Sequence, residues 1–526
     1  MKVVLAEKVS PATLDVFQSE PGWEILTHDQ VKNLTESLAD ADALVVRSAV
    51  QVDDALMAAA PKLRVIGRAG VGVDNIDAEA ATRRGIVVMN TPGANAVAVA
   101  ELALGLMIAL ARQIPRADST MHAGKWEKKS LQGSELRGKK LGILGLGRIG
   151  LEVARRARHF GMDLLGHDPF VSASIAREYA IRLVSAEELF SLSDYLTLHV
   201  GLTPQTAGIV NRTTLATMKK GVRIVNCARG ELVVEADLAD ALKSGQVAGA
   251  ALDVFNEEPL KNSPFAALDN VILTPHIAGS TAEAQEAVGV QIALQVREYL
   301  KSGVAQNAVN LPSLTHEEYL EMAPYMSLAE RLGTFLVQFP KGSIDTIQIA
   351  YNGRLAEAKT ELIRNSAIAG VLGHLEQVNR INAASVAAER GIRLHEEKKE
   401  APLGGAGTVL QLTLHAGATS ISASGAILHD SPRLLHLDGI DIEAPLQGTL
   451  LTIRNQDVPG VIGRIGTILG NHQINIANFA LGRSNGKEAA PATALSVLQI
   501  DGEVTDAVLQ ELRASPAITG VRLVTL

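Results

Sequence analysis

A single cysteine, Cys227, stands in a chain of 526 residues, which removes any internal disulfide and fits a reducing compartment. Aromatic residues make up only 3% of the chain and do not interleave with runs of Lys and Arg. With a formal net charge of −8 and a pI near 5.9, this composition argues against nucleic acid as a principal partner. No apolar run reaches the roughly 20 residues that a membrane helix needs. The longest, Ala94–Leu110, carries Asn95 and Glu101 and reads as a buried connecting helix. The opening residues Met1–Ala6 read as a β-strand and lack the length and cleavage pattern of a signal peptide. A cytoplasmic protein with no membrane or nucleic-acid partner and no metal is the expectation. What the chain does have is 47% hydrophobic residues, enough to fill the several cores of about three or four domains.

Residues 141–150 read Leu-Gly-Ile-Leu-Gly-Leu-Gly-Arg-Ile-Gly, an apolar run that breaks into Gly145, Gly147 and Gly150. Three glycines so spaced also close ordinary turns, so the flanking pattern decides. A polar turn at Arg137–Lys140, a strand at 141–144 and helical apolar spacing over 149–160 supply the required strand–turn–helix order. In a dinucleotide site the first glycine makes the tight turn and the second lets backbone approach a pyrophosphate. The third lets the helix pack closely with its N-terminal N–H groups facing the anion. A second strand over 163–166 delivers Asp168, placed to accept from the adenosine ribose hydroxyls and to repel a 2′-phosphate. His167-Asp168-Pro169-Phe170 offers no Arg for that phosphate, so NAD is expected rather than NADP.

Further apolar runs at 195–198, 223–225, 249–252 and 271–273 alternate with helical segments, the pattern of a doubly wound parallel sheet. Residues 1–90 already contain a βα alternation of their own. The expected architecture is therefore α/β: two doubly wound lobes around a cleft, joined by helices near 94–112 and 283–301. An α+β intervening domain follows, with loosening points at 402–407 and 417–425, then a ferredoxin-like βαββαβ domain. The expected boundaries are 1–93 with 285–312 for the first lobe, 94–284 for the nucleotide lobe, 313–447 for the intervening domain and 448–526 for the last.

Ionisable residues at the ends of strands after Asp168 are the candidates for chemistry, because ligands of open α/β sheets bind at carboxyl strand ends. Removing a hydride from a secondary alcohol requires an acceptor for the hydroxyl proton, a task that suits the imidazole of His276. Glu258 is the expected partner that orients its ring. Arg229 can hold a substrate carboxylate bidentately, and Asp253 is placed beneath the nicotinamide. Each of these residues alone also reads as a cap or an ordinary loop residue; their shared position at successive strand ends carries the assignment.

The chain resembles the D-isomer-specific 2-hydroxyacid dehydrogenases, and among them the long-form D-3-phosphoglycerate dehydrogenases, over essentially its whole length. The motifs are Arg68-Ala69-Gly70-Val71-Gly72-Val73-Asp74-Asn75, Asn90-Thr91-Pro92-Gly93-Ala94-Asn95, Leu144–Gly150, Val225–Gly230, Ala251–Phe255 and Thr274-Pro275-His276. The resemblance implies His276 as acid–base group, Glu258 as its partner and Arg229 as the substrate-orienting arginine. It adds Arg148, Ile149, Asp168, Cys227, Ala228 and Asp253 as cofactor contacts. The implied reaction is NAD-dependent oxidation of D-3-phosphoglycerate, the entry step of serine synthesis. The alternatives are a hydroxypyruvate or 2-oxoglutarate reductase on the same framework, or an NAD-sensing corepressor.

A phosphorylated substrate needs cations in the first lobe. Arg47 and Arg68, both at strand ends, meet that need, with Lys128 or Lys129 reaching a neighbouring subunit's substrate. The backbone of Gly70, Val71 and Gly72 can receive a carboxylate. Two departures from the family pattern are Gly201, where proline is usual, and Ala278-Gly279, where the order is reversed. Residues 449–526 resemble an ACT domain, with Asp457 and Asn475 as contacts for L-serine and the helix start at Pro459-Gly460 for its carboxylate; Asn455 departs from some serine-sensitive relatives. An ACT tail and a cross-subunit lysine segment imply a homotetramer. In the intervening segment, Tyr351-Asn352-Gly353 and Arg433 are candidate anion contacts.

Overall fold

The computed structural model describes residues 1–312, 314, 316–373, 375, 378–399, 407–484 and 493–526. The expected loosening at 402–407 lies outside the described residues except for Gly407. Among the described residues, four sheets organise the chain. The first contains β1 (Lys2–Leu5), β2 (Glu24–Leu26), β3 (Ala43–Val46), β4 (Val65–Arg68) and β5 (Val87–Met89), all parallel in the order β2-β1-β3-β4-β5. The interior strand β3 and the edge strand β5 are both buried along their whole length, as expected when helices cover both faces.

The second sheet holds β6 (Lys140–Leu144), β7 (Asp163–His167), β8 (Arg182–Leu183), β9 (Tyr195–Leu198), β10 (Val222–Asn226), β11 (Val247–Leu252) and β12 (Val271–Leu273). They run parallel in the order β12-β11-β10-β9-β6-β7-β8. Strand order reverses between β6 and β9 here, and between β1 and β3 in the first sheet, so each lobe opens a crevice at that point.

Two long helices tie the lobes together. Ala96–Arg112 buries Val99, Ala103, Leu106 and Met107 in the core of the second lobe. Ala282–Ser302 returns to the first lobe, where Ile292 and Val296 lie over Gly67 so closely that a Cβ there would meet them at 2.8 and 2.7 Å. Its N-cap Thr281 accepts from the Ala284 N–H, and Gly303 ends it at φ +79°, the expected pair of start and stop devices.

The intervening sheet comprises β13 (Thr346–Asn352), β14 (Arg393–Lys399), β15 (Val409–Ala416), β16 (Thr419–Leu428), β17 (Ser431–Leu437) and β18 (Ile440–Pro445), in the order β14-β13-β15-β16-β17-β18. Helices His316–Leu336 and Glu361–Leu372 pack together with it. The last sheet, β19 (Thr449–Gln456), β20 (Asn475–Arg483), β21 (Thr493–Asp501) and β22 (Ile518–Thr525), is antiparallel in the order β20-β21-β19-β22, the ferredoxin-like arrangement.

Element boundaries differ from the sequence reading where a local backbone state intervenes. The helix expected from Pro459 starts at Val461, because Gly460 holds φ +89° as its N-cap. Tyr351 is buried and donates its hydroxyl to Glu396 Oε2 at 2.7 Å, and Arg433 pairs with Glu443 at 3.3 Å. The Tyr351 hydroxyl and the Arg433 guanidinium are thus engaged within the chain, while Asn352 Oδ1 is buried without a partner.

Candidate functional site

At the switch point of the second sheet the turn after β6 enters the crevice. Gly145 lies at φ +92°, and a Cβ there would sit 2.6 Å from the His199 carbonyl oxygen, so a side chain meets both torsional strain and backbone. A Cβ at Gly150 would collide with the Gly145 carbonyl, which shows how closely the helix Arg148–His159 is drawn onto the loop. Gly147 caps that helix and faces open space. Asp168 is pinned beside the loop: Oδ2 accepts the Leu146 N–H and Oδ1 the Phe170 N–H, each at 2.8 Å. Arg148, also on the first turn, donates to the Pro92 carbonyl, and Ile149 is half-buried. An open approach to a helix N-terminus, with a fixed carboxylate one strand away, fits the pyrophosphate and ribose of NAD.

Cys227 and Ala228 follow β10 on the same side of the sheet. Burial, then the nearby Asp253, pushes the Cys227 thiol far up, so it stays protonated. Asn226 fixes this loop: its side chain accepts the Ala228 N–H at 3.0 Å and donates to the Arg229 carbonyl at 2.8 Å. His199, at the end of β9, is buried with its pKa pushed down to about 4, and its Nε2 pairs with Thr197 Oγ1 at 2.9 Å.

Between the two lobes lies a cavity of about 880 Å³. His276 lines it, and His276 Nδ1 meets Glu258 Oε2 at 2.6 Å. The other oxygen of Glu258 accepts the Phe255 N–H at 3.0 Å, which stops the carboxylate from rotating away. With Nδ1 engaged, Nε2 is the ring nitrogen left for a substrate. His276 itself sits at φ 53°, unusual for a residue with a side chain. Asp253 holds it there. Its backbone carbonyl accepts the His276 N–H, and its fully buried carboxylate accepts Thr274 Oγ1 at 2.6 Å and the N–H groups of Ile277 and Ala278 at 2.9 Å.

The same cavity is lined by Arg47, Arg68 and Arg229. Arg229 Nη1 donates to the Ala228 carbonyl at 2.7 Å, and its Nη2 lies 3.1 Å from Asp74 Oδ2. Arg68 carries a buried Nε without a protein partner. Burial first, then Arg229 close by, draws its pKa below the usual arginine value, although a guanidinium keeps its charge at neutral pH. Arg47 is set by Glu7, whose carboxylate gathers the N–H groups of Arg47, Ala49 and Val50 at 2.8, 3.3 and 3.2 Å. Gly70 adopts φ +152° directly over the Arg68 guanidinium, and Gly72 passes so near Arg229 and Asp74 that a Cβ would strike both. The Gly70 N–H donates to the Arg68 carbonyl at 2.9 Å, so of the three expected anion-receiving amides those of Val71 and Gly72 remain to do so.

Thus Arg47, Arg68, Arg229, Glu258 and His276 meet in one cleft, although 229 positions separate the first from the last. Lys128 and Lys129 do not join them; they lie exposed beyond the helix Ile114–His122, next to Trp126, which is 79% exposed. In the last domain Asp457 pairs with Arg483 at 3.2 Å and Asn475 donates to Asp501 at 2.8 Å. Glu7, Asp74, Asn226 and Thr274 escaped the sequence reading as site residues. Asp74 and Asn226 lay inside quoted motifs, but no spacing reveals what a side chain orients. Among the described residues, no group of His, Cys, Asp and Glu is placed to hold a metal, and no single helix is long and apolar enough to cross a membrane.

Comparison with known proteins agrees with this geometry. Residues 104–278 match the D-isomer specific 2-hydroxyacid dehydrogenase, NAD binding domain. Residues 321–438 match the D-3-phosphoglycerate dehydrogenase intervening domain, and 449–517 the ACT domain. The D-3-phosphoglycerate dehydrogenase of Methanocaldococcus jannaschii is 41% identical over the whole of both chains. That of Bacillus subtilis is 37% identical over 100% of this chain and 99% of its own. Among solved structures, the NAD-dependent formate dehydrogenase from Staphylococcus aureus in complex with NAD covers 60% of this chain and 100% of its own, with a TM-score of 0.53 at 29% identity. A D-lactate dehydrogenase from Escherichia coli likewise covers 59% of this chain, with a TM-score of 0.53 at 29% identity. The fold shared with those structures over about three fifths of the chain, the three matched family domains and the relatives similar end to end have one common source: the chain belongs to the D-3-phosphoglycerate dehydrogenase family of NAD-dependent oxidoreductases.

Proposed function

We propose that this chain oxidises D-3-phosphoglycerate to 3-phosphohydroxypyruvate, the first step of L-serine synthesis, with His276 and Glu258 as the acid–base pair and Arg229 as the substrate-orienting arginine. The observation that carries this reading is the convergence on one cleft of the 2.6 Å His276–Glu258 pair and three arginines. The substrate brings a carboxylate and a phosphate of nearly two negative charges, and three guanidiniums answer that load. Arg229 takes the carboxylate as a planar fork, with the amides of Val71 and Gly72 beside it. Arg47 and Arg68 receive the phosphate. His276 Nε2 removes the hydroxyl proton, and Glu258, fixed on Nδ1, stabilises the imidazolium that results. NAD, when bound, would supply the acceptor for the hydride. Gly145, Gly147, Arg148, Ile149, Gly150, Asp168, Cys227, Ala228 and Asp253 complete its pocket in this proposal.

Steady-state rates with D-3-phosphoglycerate and with glycerate test the reading. A kcat/KM at least 100-fold higher for the phosphorylated acid is expected, about 3 kcal/mol of discrimination. Equal values would transfer the assignment to a reductase of unphosphorylated 2-oxo acids. His276→Asn should abolish turnover while NAD still binds.

The remaining parts of the proposal concern assembly. The division at 1–93 with 285–312, 94–284, 313–447 and 448–526 makes the cleft a product of the first two units. Lys128 or Lys129 reaches the substrate of a neighbouring subunit in a cytoplasmic homotetramer. L-Serine acts as effector at the ACT domain through Asp457 and Asn475. Its carboxylate faces the helix that begins after Gly460, where N–H groups favour an anion.

A further inference from the structure

Asp74 and Arg229 belong to different lobes: one follows β4 of the first sheet, the other β10 of the second. Their ion pair, Arg229 Nη2 to Asp74 Oδ2 at 3.1 Å, therefore spans the cleft. It also occupies the fork that a substrate carboxylate needs. The two partners differ in commitment. Arg229 is 28% exposed and anchored by the Ala228 carbonyl, whereas the Asp74 side chain is 71% exposed. An ion pair with one partner so open to water is weak and readily exchanged. A Cβ at position 72 would push aside both the guanidinium end and the carboxylate, so the glycine there leaves their contact undisturbed.

Resting on the reading that Arg229 binds the substrate carboxylate, we propose that Asp74 is a placeholder for that carboxylate: it holds Arg229 in the empty cleft and is displaced when the 2-hydroxy acid binds. Asp74 touches no reacting atom and acts through Arg229, so it is a positioning residue that sets substrate affinity. The resident carboxylate satisfies a guanidinium that would otherwise face two neighbouring cations, Arg47 and Arg68, across the same cavity. It thereby keeps the three-arginine cleft assembled before substrate arrives, and every carboxylate ligand must compete with it. Because the competition is over the carboxylate alone, it weakens phosphorylated and unphosphorylated ligands by the same factor.

The test compares wild type, Asp74→Asn and Asp74→Glu in the full chain with two readouts. One is KM and kcat for D-3-phosphoglycerate with saturating NAD. The other is the Kd of oxamate, a carboxylate probe without phosphate, for the NADH complex, read from coenzyme fluorescence. Asp74→Asn should lower both KM and the oxamate Kd by about two- to five-fold, with kcat moving less than KM, and Asp74→Glu should return both toward wild type. Unchanged or weakened binding in Asp74→Asn overturns the proposal, as does equal tightening in Asp74→Glu. Tightening confined to the phosphorylated substrate also overturns it, since that is simple repulsion of phosphate. If wild type fails to oxidise D-3-phosphoglycerate, the functional reading falls by itself, and the oxamate arm still decides whether Asp74 guards Arg229.

Discussion

Under the proposed function the two lobes solve the same problem, holding a phosphate group at a switch point, with different chemistry. The second lobe works with backbone: glycines at 145, 147 and 150 and a helix start, with the Asp168 carboxylate fixed beside them. The first lobe works with side chains: Arg47 set by Glu7, Arg68 partly buried, and Arg229 contributed from across the cleft. A backbone cradle can be entered by any anion of the right shape, so it suits a cofactor common to many enzymes. Arginines on long stems can be moved, exchanged or paired with an Asp, so they suit a site that must distinguish one acid from another.

If the division of labour is real, damage to one lobe should leave the other lobe's ligand unaffected. The largest expected effect is in the backbone lobe. Gly145→Val places a branched side chain at φ +92° against the His199 carbonyl, and NAD affinity should fall by at least about 100-fold in a coenzyme titration. Oxamate and phosphate would then lose only what depends on bound coenzyme. Next comes Arg68→Met, which should lower kcat/KM for D-3-phosphoglycerate by roughly 30- to 100-fold, as for one lost charged hydrogen bond. Its Kd for NAD should not move; a parallel loss of NAD binding would break the comparison.

Two smaller effects sharpen the picture of the nucleotide lobe. The pKa of His199 is about 4 in the fold against 6.5 ordinarily. Between these values the unfolded chain binds the proton and the folded chain does not, so stability falls as pH drops from 6.5 towards 4. The loss from this residue is about 2 kcal/mol by pH 5. Denaturant midpoints of wild type and His199→Asn between pH 5 and 7.5 should converge at the acid end. Cys227, buried and held protonated, should consume almost no disulfide reagent at pH 8 in the native state and a full equivalent after unfolding. Rapid native labelling would mean that the loop after β10 opens.

Much of the nucleotide lobe is legible because its signals are local. The glycine spacing, the strand before it and Asp168 after it lie within a short stretch of chain, and each glycine answers a contact made a few residues away or to the next strand. The alternation over residues 449–526 is legible for the same reason, and its antiparallel sheet has the expected order. Weak elements were lost. β2 is short and nowhere fully buried, so it has no apolar run to announce it. Gly460 displaced a helix start by a backbone state that no periodicity encodes. In the cleft, Arg229, Glu258 and His276 could be singled out because each ends or follows a strand, a rule about sheets rather than about these residues. Their supports were not. Nothing near Glu7 in sequence says that it will collect three N–H groups some forty positions away. Asp253 reads in sequence as a residue beneath the coenzyme, with no sign of its second task. The structure buries it and spends both its oxygens on the loop that holds His276.

The sequence by itself determined the strongly apolar strands and helices, where the dinucleotide loop lies and which side chains stand at carboxyl strand ends, because apolar period and glycine placement act over a few residues. Only the tertiary structure decided that Asp74 would face Arg229 and that Arg229 would share one cavity with Arg47 and Arg68 of the other lobe. Those meetings depend on how two sheets are turned toward each other by the helices Ala96–Arg112 and Ala282–Ser302. That orientation is set by packing over whole surfaces, and no short stretch of chain contains it.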